Sequence, residues 1–304
     1  MLVFTLSGAY TRLHRVNMQT NKSSGATCIA VDGASLYYRI IGTGPLLIPM
    51  PGANGTGILY EPLATALSSH FQVALYDRRG FGSSLLDTPG EPDTTTHLRA
   101  QADDVARLIQ YLSPGKPATI FAASGSGVMA IELLQSRPDL IQHLILHEPL
   151  LLDHLPTPFK LYIKGKLVYG ALKDRGGGNA SVARELLAFV QGKRDQRRLR
   201  QDPHYARLSS QLTDEIALFF EFELQIILDY HFDSESLRPY RDKLIFMKGS
   251  DISPELASLP VITLSDALGT SLVFAPGGHN GFITDAEEFA KEMISALASN
   301  KAKL

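Results

Sequence analysis

The chain has 304 residues, 44% of them hydrophobic and 20% charged, with a net charge of -2 at pH 7. That length carries one large domain or a core with an insertion, and the near-neutral balance argues against a nucleic-acid partner or a strongly charged membrane surface. The single cysteine, Cys28, excludes an intrachain disulfide and argues against a thiolate zinc site.

Residues 1–24 read as an N-terminal extension. Arg12, Arg15 and Lys22 precede the first acid, Asp32, in a Ser/Thr-containing start. Such a stretch is expected to be disordered, with a mitochondrial targeting segment as the weaker alternative. A cytoplasmic location fits the lone thiol. No apolar run crosses a bilayer's thickness before Pro, Gly or a charge interrupts it, so no membrane span is expected.

From residue 25 short apolar runs alternate with helical stretches. Ser35–Ile41 and Pro45–Pro49 read as strands joined by the turn at Gly42–Gly44, Tyr60–Ser68 as a helix and Phe71–Tyr76 as a buried strand. His97–Leu112 has Val105, Leu108, Ile109 and Leu112 at helical spacing; Ala118–Ala123, Val128–Gln135 and Leu144–His147 continue as strand, helix and strand. Lys243–Lys248 and Ser271–Ala275 are two more strands, and Ala286–Leu297 is a closing amphipathic helix. This alternation implies an α/β fold, a mostly parallel central sheet with helices on both faces.

The alternation breaks over residues 151–239, expected to form a helical cap between the two parts of the core, 25–150 and 240–304. Lys173–Gly178 is basic and broken by glycine, and Lys193–Arg200 reads as a solvated helix face. Phe219, Phe220, Phe222, Leu224, Ile226, Ile227 and Tyr230 crowd one helix, as core packing or as the wall of an apolar pocket.

The central motif is Phe121-Ala-Ala-Ser-Gly-Ser-Gly-Val-Met-Ala130, between a strand and a helix. A sharp turn there lifts one side chain above the sheet, and the residues two before and two after it must be small. Centred on Ser124, those positions hold Ala122 and Ser126; centred on Ser126, the second would be the β-branched Val128, so residue size selects Ser124 as nucleophile.

Phe274-Ala-Pro-Gly-Gly-His-Asn-Gly-Phe282 follows the last strand and offers His279 as the base. Pro49-Met-Pro-Gly-Ala-Asn-Gly55, directly after a strand, can present backbone N–H groups to an oxyanion. Gly52 and Ala53 are alternatives for one donor, and the N–H of Gly125 supplies the other. Asp77-Arg-Arg-Gly-Phe-Gly-Ser-Ser84 reads as a structural turn held by Gly80 and Gly82. Two carboxylates compete as the acid: Glu148, immediately after a strand, and Asp251, after Leu244–Met247.

These motifs together resemble the α/β-hydrolase superfamily over Ser35 to Leu297. A narrower resemblance links His147-Glu-Pro-Leu-Leu-Leu-Asp-His-Leu155 to the zearalenone-degrading lactone hydrolases, in which the glutamate of this segment is the triad acid; carried over, that is Glu148. Those enzymes use a cap tryptophan, and this chain has no tryptophan. The expectation is a serine hydrolase acting on a small hydrophobic ester or lactone, with no metal or organic cofactor and with a homodimer left open. The alternatives are C–C bond hydrolysis or peroxide chemistry on the same triad, and a ligand-binding protein with little turnover.

Overall fold

A computed structural model describes residues 27–301 except Pro89, Phe159, 163–164, 166–190, 192 and 252–254. The expected N-terminal extension and the Lys173–Gly178 stretch lie outside the described residues. The strands are β1 (Thr27–Val31), β2 (Ala34–Ile41), β3 (Leu46–Met50), β4 (Gln72–Tyr76), β5 (Leu85–Leu86), β6 (Ala118–Ala123), β7 (Ile141–His147), β8 (Leu244–Gly249) and β9 (Leu272–Ala275). The helices are α1 (Glu61–Leu67), α2 (His97–Leu112), α3 (Ser126–Ser136), α4 (Pro203–Leu218), α5 (Leu224–Leu228), α6 (Leu259–Leu268), α7 (Gly281–Thr284) and α8 (Ala286–Lys301).

The strands form one sheet in the order β1-β2-β4-β3-β6-β7-β8-β9, with β5 on β2. Every pair from β4 to β9 is parallel, and β2 pairs antiparallel with β1, β4 and β5. Burial explains the difference. β3, β6 and β8 are buried at every position, as parallel strands covered on both faces must be, whereas β2 alternates buried and partly buried residues along most of its length. One apolar layer joins the sheet to α2, α3 and α6 through Val105, Leu108, Met129, Leu133, Val261 and Leu264. The other joins it to α1 and α8 through Leu63, Leu67, Phe289 and Met293.

The chain runs from β3 to β4 on one side and later returns to place β6 on the other side of β3. This reversal of strand order parts the loops at the carboxyl ends of β3 and β6, the place where open α/β sheets form a crevice. Between β7 and β8 the described residues contain helices and no strand: helical residues 193–201, α4, a π-helical turn at Phe219–Glu223, α5 and a 3₁₀ stretch at Ser234–Lys243. In the basic run, Lys193, Arg194, Arg197 and Arg200 are exposed, but Asp195 and Leu199 are buried. The run is therefore amphipathic, solvated on one side and docked on the other.

Candidate active site

The β6–α3 turn is strained. Ser124 has φ 59°, and it and Glu148 (φ 46°) are the non-glycine residues with positive φ among those described. An L side chain in that region costs roughly 1–3 kcal/mol and persists where its surroundings fix it. Here they do: Ser124 N–H donates to His147 O (3.2 Å), and the Ser124 carbonyl accepts from Gly127 N (3.1 Å) and Leu150 N (2.9 Å). Both glycine-replacing positions are buried, and Ser126 is accommodated because its hydroxyl folds back onto the turn. Its Oγ donates to Ala123 O (2.9 Å) and accepts from Ala123 N–H (3.1 Å). The tightest approach lies one residue on, at Gly127, where a β-carbon would stand 2.3 Å from Pro149 Cβ. Ser124 itself is half-buried between buried neighbours.

His279 Nδ1–H donates to Glu148 Oε2 at 2.9 Å, with both side chains buried. The second oxygen, Oε1, accepts from Gly249 N–H (2.9 Å) and Ser258 Oγ–H (3.0 Å), so the carboxylate is held at both ends. Burial works against its charge, but His279, the neighbouring His147 and the Gly249 N–H outweigh it, and its pKa lies below the ordinary value. An ionised carboxylate only accepts; Nδ1 therefore carries the proton of this bond, which leaves Nε2 as the nitrogen that can act as base. No hydrogen bond joins Ser124 Oγ to His279 in this conformation. Asp251 is elsewhere, half-buried and paired with Arg194 (3.3 Å) and Arg198 (3.1 Å) of the helical segment.

Beneath His279 lies His147, fully buried, its ring 6.1 Å from that of His279 and 5.1 Å from Phe289. Its Nε2–H donates to the His279 carbonyl (3.2 Å), and burial pushes its pKa down, which keeps it neutral. The other side of the histidine loop is gripped by Asp195, which accepts from Asn280 N–H (3.2 Å) and Asn280 Nδ2–H (2.8 Å). A β-carbon at Gly278 would meet Asp195 at 2.8 Å, so the glycine makes this grip possible. Burial raises the Asp195 pKa, opposed by His279 and the Asn280 contacts.

The loop after β3 rests against the turn. A β-carbon at Gly52 would stand 3.1 Å from Ala123 O and 3.6 Å from Ser124 Cβ. The N–H groups of Ala53 and Gly125 have no acceptor among the described residues, whereas the Gly52 N–H is turned to the Tyr60 hydroxyl. The Gly52 carbonyl accepts from Gly55 N–H (3.0 Å) and from Arg78 Nη2–H (3.0 Å). Arg78, wholly buried, also forks onto Glu223 of the π-helical turn at 2.8 and 2.7 Å, and His97 Nε2–H donates to the same carboxylate at 2.7 Å. Burial opposes the Glu223 charge, yet Arg78 and His97 hold its pKa down to about 2. The rest of the Asp77–Ser84 turn is structural. Gly80 and Gly82 take positive φ, while Asp77 accepts from Gly57 N–H and Ser83 N–H at 3.0 and 2.8 Å.

The π-helical turn and α5 pack over Gly125, where a β-carbon would meet Phe219 at 3.0 Å and Ile227 at 3.3 Å. Arg78, Gly127 and His147 lie inside segments that the sequence singles out, but nothing in those segments assigns them a role, and Asp195 and Glu223 lie in no motif. The one usable hint is a glutamate inside an apolar run, Phe219-Phe-Glu-Phe-Glu-Leu224, at the position where it must point inward. Among the described residues no group of three or more His, Cys, Asp or Glu side chains is arranged to hold a metal ion, and no helix is long and apolar enough to cross a membrane.

The family model of the alpha/beta hydrolase fold matches residues 45–286. The uncharacterized hydrolase YraK of Bacillus subtilis is 26% identical over 277 residues, which are 90% of this chain and 96% of that protein. A thermophilic esterase from Thermogutta terrifontis superposes with a TM-score of 0.68 at 19% identity, covering 90% of this chain and 97% of that one. The enol-lactonase from Burkholderia xenovorans LB400 superposes at 0.63 and 22% identity, covering 90% and 100%. At these identities the two structural likenesses carry the fold.

Proposed function

This chain belongs to the alpha/beta hydrolase family, and on that premise we propose that it is a serine hydrolase that cleaves a carboxylic ester or lactone of a hydrophobic small molecule. The observation that carries this reading is the buried Glu148–His279 pair, held at the same sheet edge as a serine with φ 59°. With Nδ1 committed to the carboxylate, Nε2 is the free base, and the strained turn presents the Ser124 hydroxyl beside the loop after β3, as the motif requires.

Ser124 gives its proton to His279 Nε2 as Oγ attacks the carbonyl carbon. The C=O electrons move to oxygen, where the N–H groups of Gly125 and of Ala53 or Gly52 receive the anion; one such donor is worth about 3–4 kcal/mol of barrier. Collapse expels the alcohol oxygen, which takes the proton back from His279, and a water activated by the same imidazole releases the acid. The hydroxyl–imidazole contact forms on substrate binding, as catalytic hydrogen bonds often do. Glu148 is the acid in this scheme, and Asp251, engaged with two arginines, is a docking residue.

The helical segment between β7 and β8 then serves as the cap. Phe219 and Ile227 over Gly125 give the acyl site an apolar wall. The resemblance to zearalenone-degrading enzymes is confined to His147–Leu155, so the substrate is not narrowed to that mycotoxin. The test is labelling of the full chain with a fluorophosphonate probe and mapping of the modified peptide. The label is expected on Ser124 and absent in Ser124→Ala, which also loses p-nitrophenyl ester turnover; a label elsewhere, or full activity in the variant, refutes the reading.

A further inference from the structure

We propose that Arg78 and Glu223 are positioning residues that aim the Ala53 N–H at the acyl oxygen, so that core and cap together build the oxyanion site. This rests on the serine-hydrolase reading and extends it.

The starting point is a cost. A guanidinium and a carboxylate are both removed from water here, with exposures of 0% and 2%. A buried ion pair is seldom worth more to stability than an apolar pair of the same volume. This one does something that an apolar pair cannot do. Its third contact, Arg78 Nη2–H to Gly52 O at 3.0 Å, holds a peptide group of the loop that lies against Ser124.

The peptide that begins with the Gly52 carbonyl ends with the Ala53 N–H. In a planar trans peptide those two groups point in opposite directions. Fixing the oxygen on Arg78, with Gly55 N–H as the second donor, therefore fixes the N–H away from Arg78, and that N–H has no acceptor among the described residues. Rotation of this peptide would turn a carbonyl dipole toward the developing anion. Of the two candidate donors in the loop, the geometry thus points to Ala53 rather than Gly52.

The pair is also built to be rigid. Glu223 receives both Arg78 η-nitrogens and the His97 ring, and the Arg78 guanidinium sits 4.4 Å from the Phe81 ring centre. A fork bound at both ends has one orientation, which a lysine ammonium cannot reproduce. Glu223 reaches inward from the π-helical turn, whose wider coil shifts the facing of the helix at this point. The same turn carries Phe219 onto Gly125, the other donor. One turn of the cap thus meets Gly125 directly and reaches the Gly52–Ala53 peptide through Arg78.

The test uses the full chain, p-nitrophenyl butyrate and a trifluoromethyl ketone that captures the tetrahedral geometry. The paired variant Arg78→Met with Glu223→Met removes both charges at similar volume, and near-UV circular dichroism reports its fold. Expected is a kcat at least about tenfold lower with KM within about threefold, and a matching loss of ketone affinity. A folded double variant with kcat and ketone affinity within about twofold of wild type overturns the proposal. If the double variant does not fold, Arg78→Lys decides by the same two readouts, since it keeps the charge on Glu223 but not all three contacts. A wild-type chain that neither turns over ester nor labels at Ser124 defeats the underlying reading instead, and that failure is seen before any variant is compared.

Discussion

Glu148 and Asp251 differ in what touches them, and that difference predicts a difference in kinetics. The Glu148 oxygens are filled by His279, Gly249 N–H and Ser258, whereas those of Asp251 face Arg194 and Arg198. In Glu148→Gln the amide can turn an N–H toward Nδ1, which then must be the bare nitrogen, and the proton moves to the face that should act as base. Its kcat is expected to fall about 10³-fold or more, while Asp251→Asn stays within about twofold on the same p-nitrophenyl ester. The reverse ranking would reassign the acid. At this scale the sequence is informative wherever chemistry leaves a local mark. Ser124 stands among small residues and His279 among glycines, and Glu148 directly follows a strand. It is silent about Asp195 and His147, which act on the His279 loop only because the folded chain brings them there.

The turn between β6 and α3 shows why a sequence pattern can name the correct element and still misplace its tightest point. The motif draws attention to Ala122 and Ser126 as the small positions. In the folded chain Ser126 is tolerated because its hydroxyl satisfies the turn, and the closest contact is Gly127 against Pro149, one residue beyond Glu148. Gly127→Ala must push α3 away from the segment that carries Glu148. The expected cost is about 1–3 kcal/mol in urea unfolding, with a loss of ester turnover larger than the loss of folded protein explains. A variant of wild-type stability and rate would show that the junction yields freely. Other elements follow the same logic. β3, β4, β6 and α2 are readable from runs and spacing, since each is buried in a regular pattern. β1 and α6 are not. β1 is a short, largely exposed strand ordered by its antiparallel partner, and α6 carries a proline in a short apolar start, Leu259–Ile262, with little periodicity after it. The π-helical turn is invisible because its sequence reads as a plain continuation of an apolar helix.

For the whole molecule, alternating strand and helix signals are enough to reach a parallel α/β sheet, but they say nothing of the partnership between Arg78 and Glu223, 145 residues apart. Those long-range buried charges also set how stability responds to pH, and the signs oppose one another. Glu223, with a pKa of about 2 against an ordinary 4.5, and Glu148, also lowered, are charged in the folded chain when the unfolded chain has begun to bind protons. Their stabilisation is complete above pH 4.5 and is withdrawn as pH falls below it. Asp77 runs the other way: burial, opposed by the Ser83 and Gly57 N–H groups, raises it from 3.8 to about 6. Between those values the folded chain binds the extra proton, so this group adds stability as pH falls from above 6 toward 4. Buried His147 opposes it, because the unfolded chain is protonated below the ordinary value of 6.5 while the folded ring stays neutral. The absolute slope therefore mixes contributions, and the Asp77 share is isolated by comparison. Urea midpoints measured from pH 4 to pH 7.5 should show Asp77→Asn less stable throughout, since an amide cannot accept both N–H groups. Its stability relative to wild type should recover as pH rises toward about 6 and level off above it. A constant difference across that range would mean that Asp77 titrates alike in the folded and unfolded chain, and that the turn beneath Arg78 holds its carboxylate at no electrostatic cost.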